Sequence, residues 1–330
     1  MVRNSSLFIV ALLVSCIADA GTLNIFENSP QQHYSDLATT QWLHGAKSCK
    51  KDTNPAIQVM QADASTYVLR QNKCVTFEAP FIYVLFGLDK VLVVDTGANR
   101  SPELSPIYQT VLSLIAEQGS VLNETPEIIV VHSHSHSDHT QGDSQFVGKP
   151  GVTVVATDQK SLETQLGFTH WPNTPSSIDL GNRSLTLIPI PGHQEQSIAI
   201  YDSQTEWLLT GDSLYPGSIR VKNWPVYRSS IQRLFEFSQA NSISLVLGAH
   251  IEFNAETNKL YKIGKTYQPN ETPLAIQVDQ LKILNDRLQA TPKPKKLKFK
   301  LFVISPLSRF EKMLSNALSK NNRDDSITLP

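Results

Sequence analysis

Val131-His132-Ser133-His134-Ser135-His136-Ser137-Asp138-His139 ends an apolar run that begins at Glu127 and turns into a polar loop. Four histidines between His132 and His139 are not core packing. Imidazole nitrogen and carboxylate oxygen suit Zn²⁺, and a loop at a strand end lets alternating side chains converge on one point. Only one register reads H-x-H-x-D-H, and it consists of His134, His136, Asp138 and His139. His132 falls outside it and is read as a strand-end residue that supports the ligands. Ser133, Ser135 and Ser137 are loop fillers: with the register's own histidines on metal duty, a serine nucleophile lacks its base.

Further along, Pro191-Gly192-His193, Gly211-Asp212 and Gly248-Ala249-His250 each follow an apolar segment, and Asp95-Thr96-Gly97 ends an apolar hairpin upstream. In this order the motifs resemble the metallo-β-lactamase fold superfamily, over about residues 57 to 255. The resemblance implies an α/β fold, the four-layer αββα sandwich. It also implies two Zn²⁺ per chain: His134, His136 and His193 on one, Asp138, His139 and His250 on the other, and Asp212 between them. Asp95 would support the loop without touching metal. The implied activity is hydrolysis of an ester, lactone, thioester or amide by a zinc-bridging hydroxide, with Asp138 part of the catalytic machinery.

Zinc β-lactamases of this fold place a cysteine or serine where this chain has Asp212, so the resemblance is to the glyoxalase II and lactonase branch. Tyr215 is similar to the lactonase tyrosine and is the oxyanion candidate. After His193 the small turn usual in the family is replaced by Gln194-Glu195-Gln196-Ser197, and Glu195 is expected to face solvent. Trp171, Trp224 and Tyr227 are candidates for the wall of a substrate groove. A mononuclear iron enzyme of the persulfide dioxygenase type and a non-catalytic metal-binding protein remain as alternatives.

The rest of the chain bounds these readings. With 29 Lys+Arg against 30 Asp+Glu, net charge -1, no broad basic surface is available for nucleic acid, so the expected partner is a small-molecule substrate. Arg3 and the apolar run Leu7 to Val14 read as an export signal over residues 1–20. Two processing routes stay open. Ala18-Asp19-Ala20 would release Gly21, whereas Leu13-Val14-Ser15-Cys16 resembles a lipobox that would leave a lipidated Cys16. The expected location is the periplasm or the exterior, soluble or membrane-anchored. Cys49 and Cys74 are expected to pair there.

Residues 21–55 read as an N-terminal arm, 56–290 as the catalytic domain and 291–330 as a basic C-terminal extension. Strands are expected at Ile57–Met60, Tyr67–Leu69, Phe81–Phe86, Lys90–Val94, Glu127–Val131, Val152–Ala156, Ser184–Ile190, Ser197–Tyr201, Trp207–Thr210 and Ser244–Leu247. Helices are expected after Ser101-Pro102, over Gln159–Leu166, from about Val226 to Ala240, and after Thr272-Pro273. The five lysines between Lys293 and Lys300, with an amphipathic helix over Pro306–Lys320, offer anionic lipid a second route of association besides Cys16.

Overall fold

A computed structural model of the protein describes Leu37 and residues 39–119 and 125–312. The export signal, Cys16 and the tail helix beyond residue 312 lie outside the described residues.

The first sheet holds β1 (Ile57–Asp63), β2 (Thr66–Gln71), β3 (Phe81–Phe86), β4 (Lys90–Val94), β5 (Glu127–Val131) and β6 (Val152–Val154), in that order. The β3–β4 hairpin turns at Gly87-Leu88-Asp89, and β5 then lies parallel to β4, with Val131 opposite Val94. That register sets the Asp95 turn and the histidine loop side by side at one sheet edge. The second sheet draws on β7 (Ser176–Asp179), β8 (Ser184–Pro189), β9 (Ile198–Asp202) and β10 (Trp207–Gly211). After β11 (Ser218–Val221) it is completed by β12 (Leu245–Gly248); a small hairpin, β13 (Phe253–Asn254) with β14 (Lys259–Leu260), precedes its last strand, β15 (Ala275–Ile276).

Side-chain alternation explains the layering, because successive residues of a strand face opposite sides. Leu92 and Val94 of β4 and Trp207 and Leu209 of β10 fill the core between the sheets. Val91 and Val93 face helix α1 (Ile107–Gln118), through Ile107, Val111 and Leu114. Beyond the four-residue α2 (Ser137–Thr140) and α3 (Gln159–Leu166), α4 (Trp224–Ala240) and α5 (Val278–Gln289) cover the other sheet, where Leu208 and Val246 meet Ile231, Leu234 and Leu284. The fold is the αββα sandwich. Arg183 ties its two sheets together: buried, it donates to the carbonyls of Ser65 and Phe86 and to Thr66 Oγ1, and pairs with Asp202 at 2.5 Å.

Several boundaries differ from expectation. Helix α1 begins at Ile107, since Ser101 closes only a turn onto Leu104 and Pro106, which has no N–H, intervenes. Helix α5 begins at Val278, because Ala275 and Ile276 pair with Leu247 and Val246 as an edge strand. The separation of residues 291–330 as an extension is corrected as far as Pro306. Leu297–Lys298 (β16) and Val303–Pro306 (β17) join β11 in a three-stranded sheet, with Phe302 and Ile304 fully buried. The five lysines stay exposed. The arm is likewise packed in: Trp42 meets Phe81 edge-on at 4.8 Å, and Cys49 is bonded to Cys74. No helix among the described residues is long and apolar enough to cross a membrane.

Candidate metal centre

All seven expected ligands come together at the edge where β5, β8, β10 and β12 end. His134 Nε2 lies 2.9 Å from His136 Nδ1, which lies 3.1 Å from His193 Nε2. Asp212 Oδ2 approaches His193 and His134 at 3.7 and 3.9 Å. On the other side, Asp138 Oδ2 lies 3.4 Å from His139 Nε2 and 3.3 Å from His250 Nε2, and Asp212 Oδ1 is 3.6 and 3.3 Å from the same two nitrogens. The carboxylate of Asp212 therefore gives one oxygen to each cluster.

These distances fit metal ions. Four ligands about 2.0–2.1 Å from one ion in a tetrahedron stand about 3.3 Å apart. His139 Nε2 and Asp212 Oδ1 are buried with no hydrogen-bond partner among the described residues, as atoms intended for a cation would be. The charge pattern agrees. Burial, with neighbouring histidines, holds His134 well below the usual imidazole range and His136 down to about 4, and burial also lowers His193, so the first cluster offers neutral nitrogens. In the second, burial opposes protonation but carboxylates prevail. Asp138 and Asp95 raise His139 well above its ordinary value, and Asp212 with Asp138 brings His250 up to about 9. A cation entering that cluster takes the place of protons already held there.

Three of the outward nitrogens are fixed by the scaffold. His139 Nδ1 sits 2.8 Å from Asp95 Oδ2, while Asp95 Oδ1 accepts the Ser133 N–H at 2.7 Å. His193 Nδ1 donates to the Arg220 carbonyl at 2.6 Å and His250 Nδ1 to the Glu78 carbonyl at 3.2 Å. Asp95 supports the loop as expected, and His132, paired with Asp143 at 2.8 Å, braces it from behind. Two glycines let the loops approach this closely. At Gly192, with φ of 138°, a Cβ would lie 2.4 Å from Tyr227 Cα, and at Gly211, with φ of 50°, one would strike Ser133 Cβ at 2.5 Å.

A cavity of about 780 Å³ opens over both clusters. His136, Asp138, His193 and Asp212 form part of its lining, with Leu260, Ile263 and Leu307 as apolar wall and Arg220 and Lys262 as cations. Parallel pairing of β17 with β11 carries Leu307 and Glu311 to this wall, where Glu311 pairs with Arg220. None of these wall residues belongs to a motif. Glu252, two residues after His250, is the one that a search next to the ligands could have found. Trp224 and Tyr227 do not line the cavity: both are buried against the second sheet, and Trp171 packs on the core between the sheets beside Phe168. Glu195 is exposed and pairs with Lys222.

Tyr215 does line the cavity, with its ring edge-on to His250 at 5.5 Å. Its hydroxyl has other partners, however: it donates to the Ser218 carbonyl at 2.9 Å and lies 3.2 Å from Glu252 Oε2. To act on an oxyanion it would have to leave both. Tyr215→Phe is therefore expected to lower kcat by less than about tenfold, the smaller end for a single donor. Steady-state kinetics on a carbonyl substrate would check this, and a loss of about 10²-fold or more would restore the oxyanion role.

Comparison with known proteins agrees with the site. The model of the metallo-beta-lactamase superfamily matches residues 75–250, which contain every one of the seven ligands. The chain is 36% identical over 219 residues to the acyl-coenzyme A thioesterase MBLAC2 of Gallus gallus, covering 56% of this chain and 77% of that one. It is 24% identical over 223 residues to the hydroxyacylglutathione hydrolase of Idiomarina loihiensis, covering 68% and 78%. A metallo-beta-lactamase from Pontibacter korlensis superposes with a TM-score of 0.46 at 16% identity, covering 71% of this chain and 99% of that one. With the sandwich, the ligand clusters and the family match in agreement, this chain belongs to the metallo-beta-lactamase superfamily and is a metal-dependent hydrolase.

Proposed function

We propose that the protein is an exported hydrolase with two Zn²⁺ that cleaves acyl thioesters. The observation that carries the substrate class is the cavity over the ligands, which joins an apolar wall at Leu260, Ile263 and Leu307 to the cations Arg220 and Lys262. An acyl chain suits the first and a polar thiol moiety the second, where Arg220 is shared with Glu311 and Glu252 joins the wall. The relatives named as a thioesterase and as a hydroxyacylglutathione hydrolase support this choice. Zinc suits a set of five imidazoles and two carboxylates, and a zinc pair supplies Lewis acidity and a water-derived nucleophile at neutral pH. The chain's own part is to orient. The three outward nitrogens held by Asp95, Arg220 and Glu78 aim the rings, Asp212 spans the clusters, and Asp138, on the cavity wall, would hold the second ion together with His139 and His250.

Export is supported by the Cys49–Cys74 bond, which persists best in an oxidising compartment. Membrane association through a lipidated Cys16 or the exposed lysines of the tail belongs to the same proposal. The test is elemental analysis of the purified protein together with a panel of acyl thioesters, lactones, a phosphodiester and a cephalosporin. About two zinc ions per chain and a kcat/KM for thioesters at least about tenfold above the other classes are expected, with activity lost on chelation. One iron and no zinc would instead favour the persulfide dioxygenase reading, and a lactone preference would move the substrate class.

A further inference from the structure

Large apolar side chains exposed one by one are ordinary on a protein surface, whereas several around one opening mark a contact. Seven are exposed among the described residues, and three of them stand at the mouth of the cavity. Ile263 is 87% exposed, yet it lines both the main cavity and a side pocket of about 120 Å³ that shares Tyr261 and Lys262 with it. Phe77, 40% exposed, lines the same side pocket. Phe310, 68% exposed, precedes Glu311 in the helical turn after Leu307, and Leu307 and Glu311 both line the main cavity.

Ile263 owes its exposure to a tight turn. The Lys265 N–H donates to the Lys262 carbonyl at 3.1 Å, and Gly264 takes a φ of 77° with nothing within 4 Å of where a Cβ would stand. The tip therefore projects clear of the body. Its flanks are basic: Lys259, Lys262 and Lys265 are exposed, and no acidic residue falls between Lys259 and Asn270. Arg309 adds an exposed cation beside Phe310. The acids of the mouth oppose them little, since Glu311 is paired with Arg220 and Glu78 and Glu252 are half-buried. Three tips from separate stretches of chain offer no shaped groove to a folded partner. A bilayer needs none: apolar side chains enter it singly, and lysines beside them meet anionic headgroups.

We propose that the cavity mouth docks on an anionic phospholipid bilayer, with Ile263, Phe77 and Phe310 entering the interface and Lys259, Lys262 and Lys265 meeting the headgroups. This surface is distinct from Cys16 and from the lysines of the tail. It goes beyond the thioesterase reading and does not require it. Because Ile263 belongs to the tip and to the cavity wall alike, an acyl chain leaving the bilayer would approach the ligand clusters along apolar surface.

The test is sedimentation of the full chain carrying Cys16→Ser, which cannot be acylated, with vesicles of phosphatidylcholine alone or mixed with phosphatidylglycerol. Partition should favour the anionic vesicles. Ile263→Ser should lower it by about tenfold and Lys265→Gln by about fivefold. Both side chains are exposed, so circular dichroism should match the wild type. Partition unchanged by Ile263→Ser with Phe310→Ser, or equal on the two kinds of vesicle, would overturn the proposal. Ile263→Trp reads the tip itself, whatever else holds the chain. Brominated lipid should quench its added emission and spare that of Val147→Trp, an exposed position outside both pocket walls. Quenching of neither, or of both alike, would also sink the idea. A dimer that Ile263→Ser dissociates, with vesicle binding unaltered, would assign the tip to a second copy of the chain instead. Vesicle binding is read without turnover, so its failure and that of the thioesterase reading are separate results.

Discussion

Asp212→Asn is expected to empty both ligand clusters together and to lower kcat by about 10³-fold or more, equivalent to about 4 kcal/mol of barrier. The substitution keeps the shape of the side chain but removes the anion that gives one oxygen to each cluster. Asp212 Oδ1 has no hydrogen-bond partner among the described residues, so the amide breaks no hydrogen bond at that atom. Metal content and turnover should therefore fall together, as read by elemental analysis and steady-state kinetics. A variant with wild-type metal content and wild-type rate would remove Asp212 from the centre. Asp138→Asn, which touches one cluster only, should cost less.

The second large effect concerns stability. Arg183→Ala should destabilise the protein by about 3–5 kcal/mol, the range for breaking a buried ion pair on one side. It would leave Asp202 buried without its partner and release the carbonyls of Ser65 and Phe86, so the two sheets would lose the polar bolt between them. Burial alone would raise the Asp202 carboxyl, and the Arg183 guanidinium is the main influence that holds it low. Denaturant unfolding measures the loss. The double replacement Arg183→Met with Asp202→Leu should recover much of it, since apolar substitutes carry no desolvation cost. A single variant as stable as the wild type would show that water enters to solvate Asp202.

The metal ligands were legible because each follows a strand whose apolar run is itself plain, from one residue beyond β10 for Asp212 to eight beyond β5 for His139, so the strand ends locate them in space. The upstream Asp95 was legible for the same reason. The cavity wall was not. Leu260 and Ile263 come from a short hairpin region without periodicity, and Leu307 reaches the site only because β17 pairs with β11 across more than eighty residues of chain. Strands of two to four residues such as β15 and β16 are defined by their partners more than by their own composition. Tyr227 and Trp224 looked like groove aromatics beside prolines, yet the helix they open turns both inward, and the close approach of Gly192 buries Tyr227 fully. The hydroxyl of Tyr215 was beyond reach for a related reason: nothing local announces that Glu252 and the Ser218 carbonyl would claim it.

The hold of Asp95 on both Ser133 and His139, with the backbone carbonyls that grip His193 and His250, bears on how the protein matures. The tautomers and ring planes of His139, His193 and His250 are set by the polypeptide itself, so these three rings need no cation to find their orientation. Folding and metallation become separate events, unlike in a zinc finger, whose chain collapses only around its ion. A newly made chain could complete its sandwich and its disulfide in a metal-poor compartment and wait. Loading would then be a docking reaction onto a rigid receptor, and a chelated protein should remain a folded one, ready to be recharged.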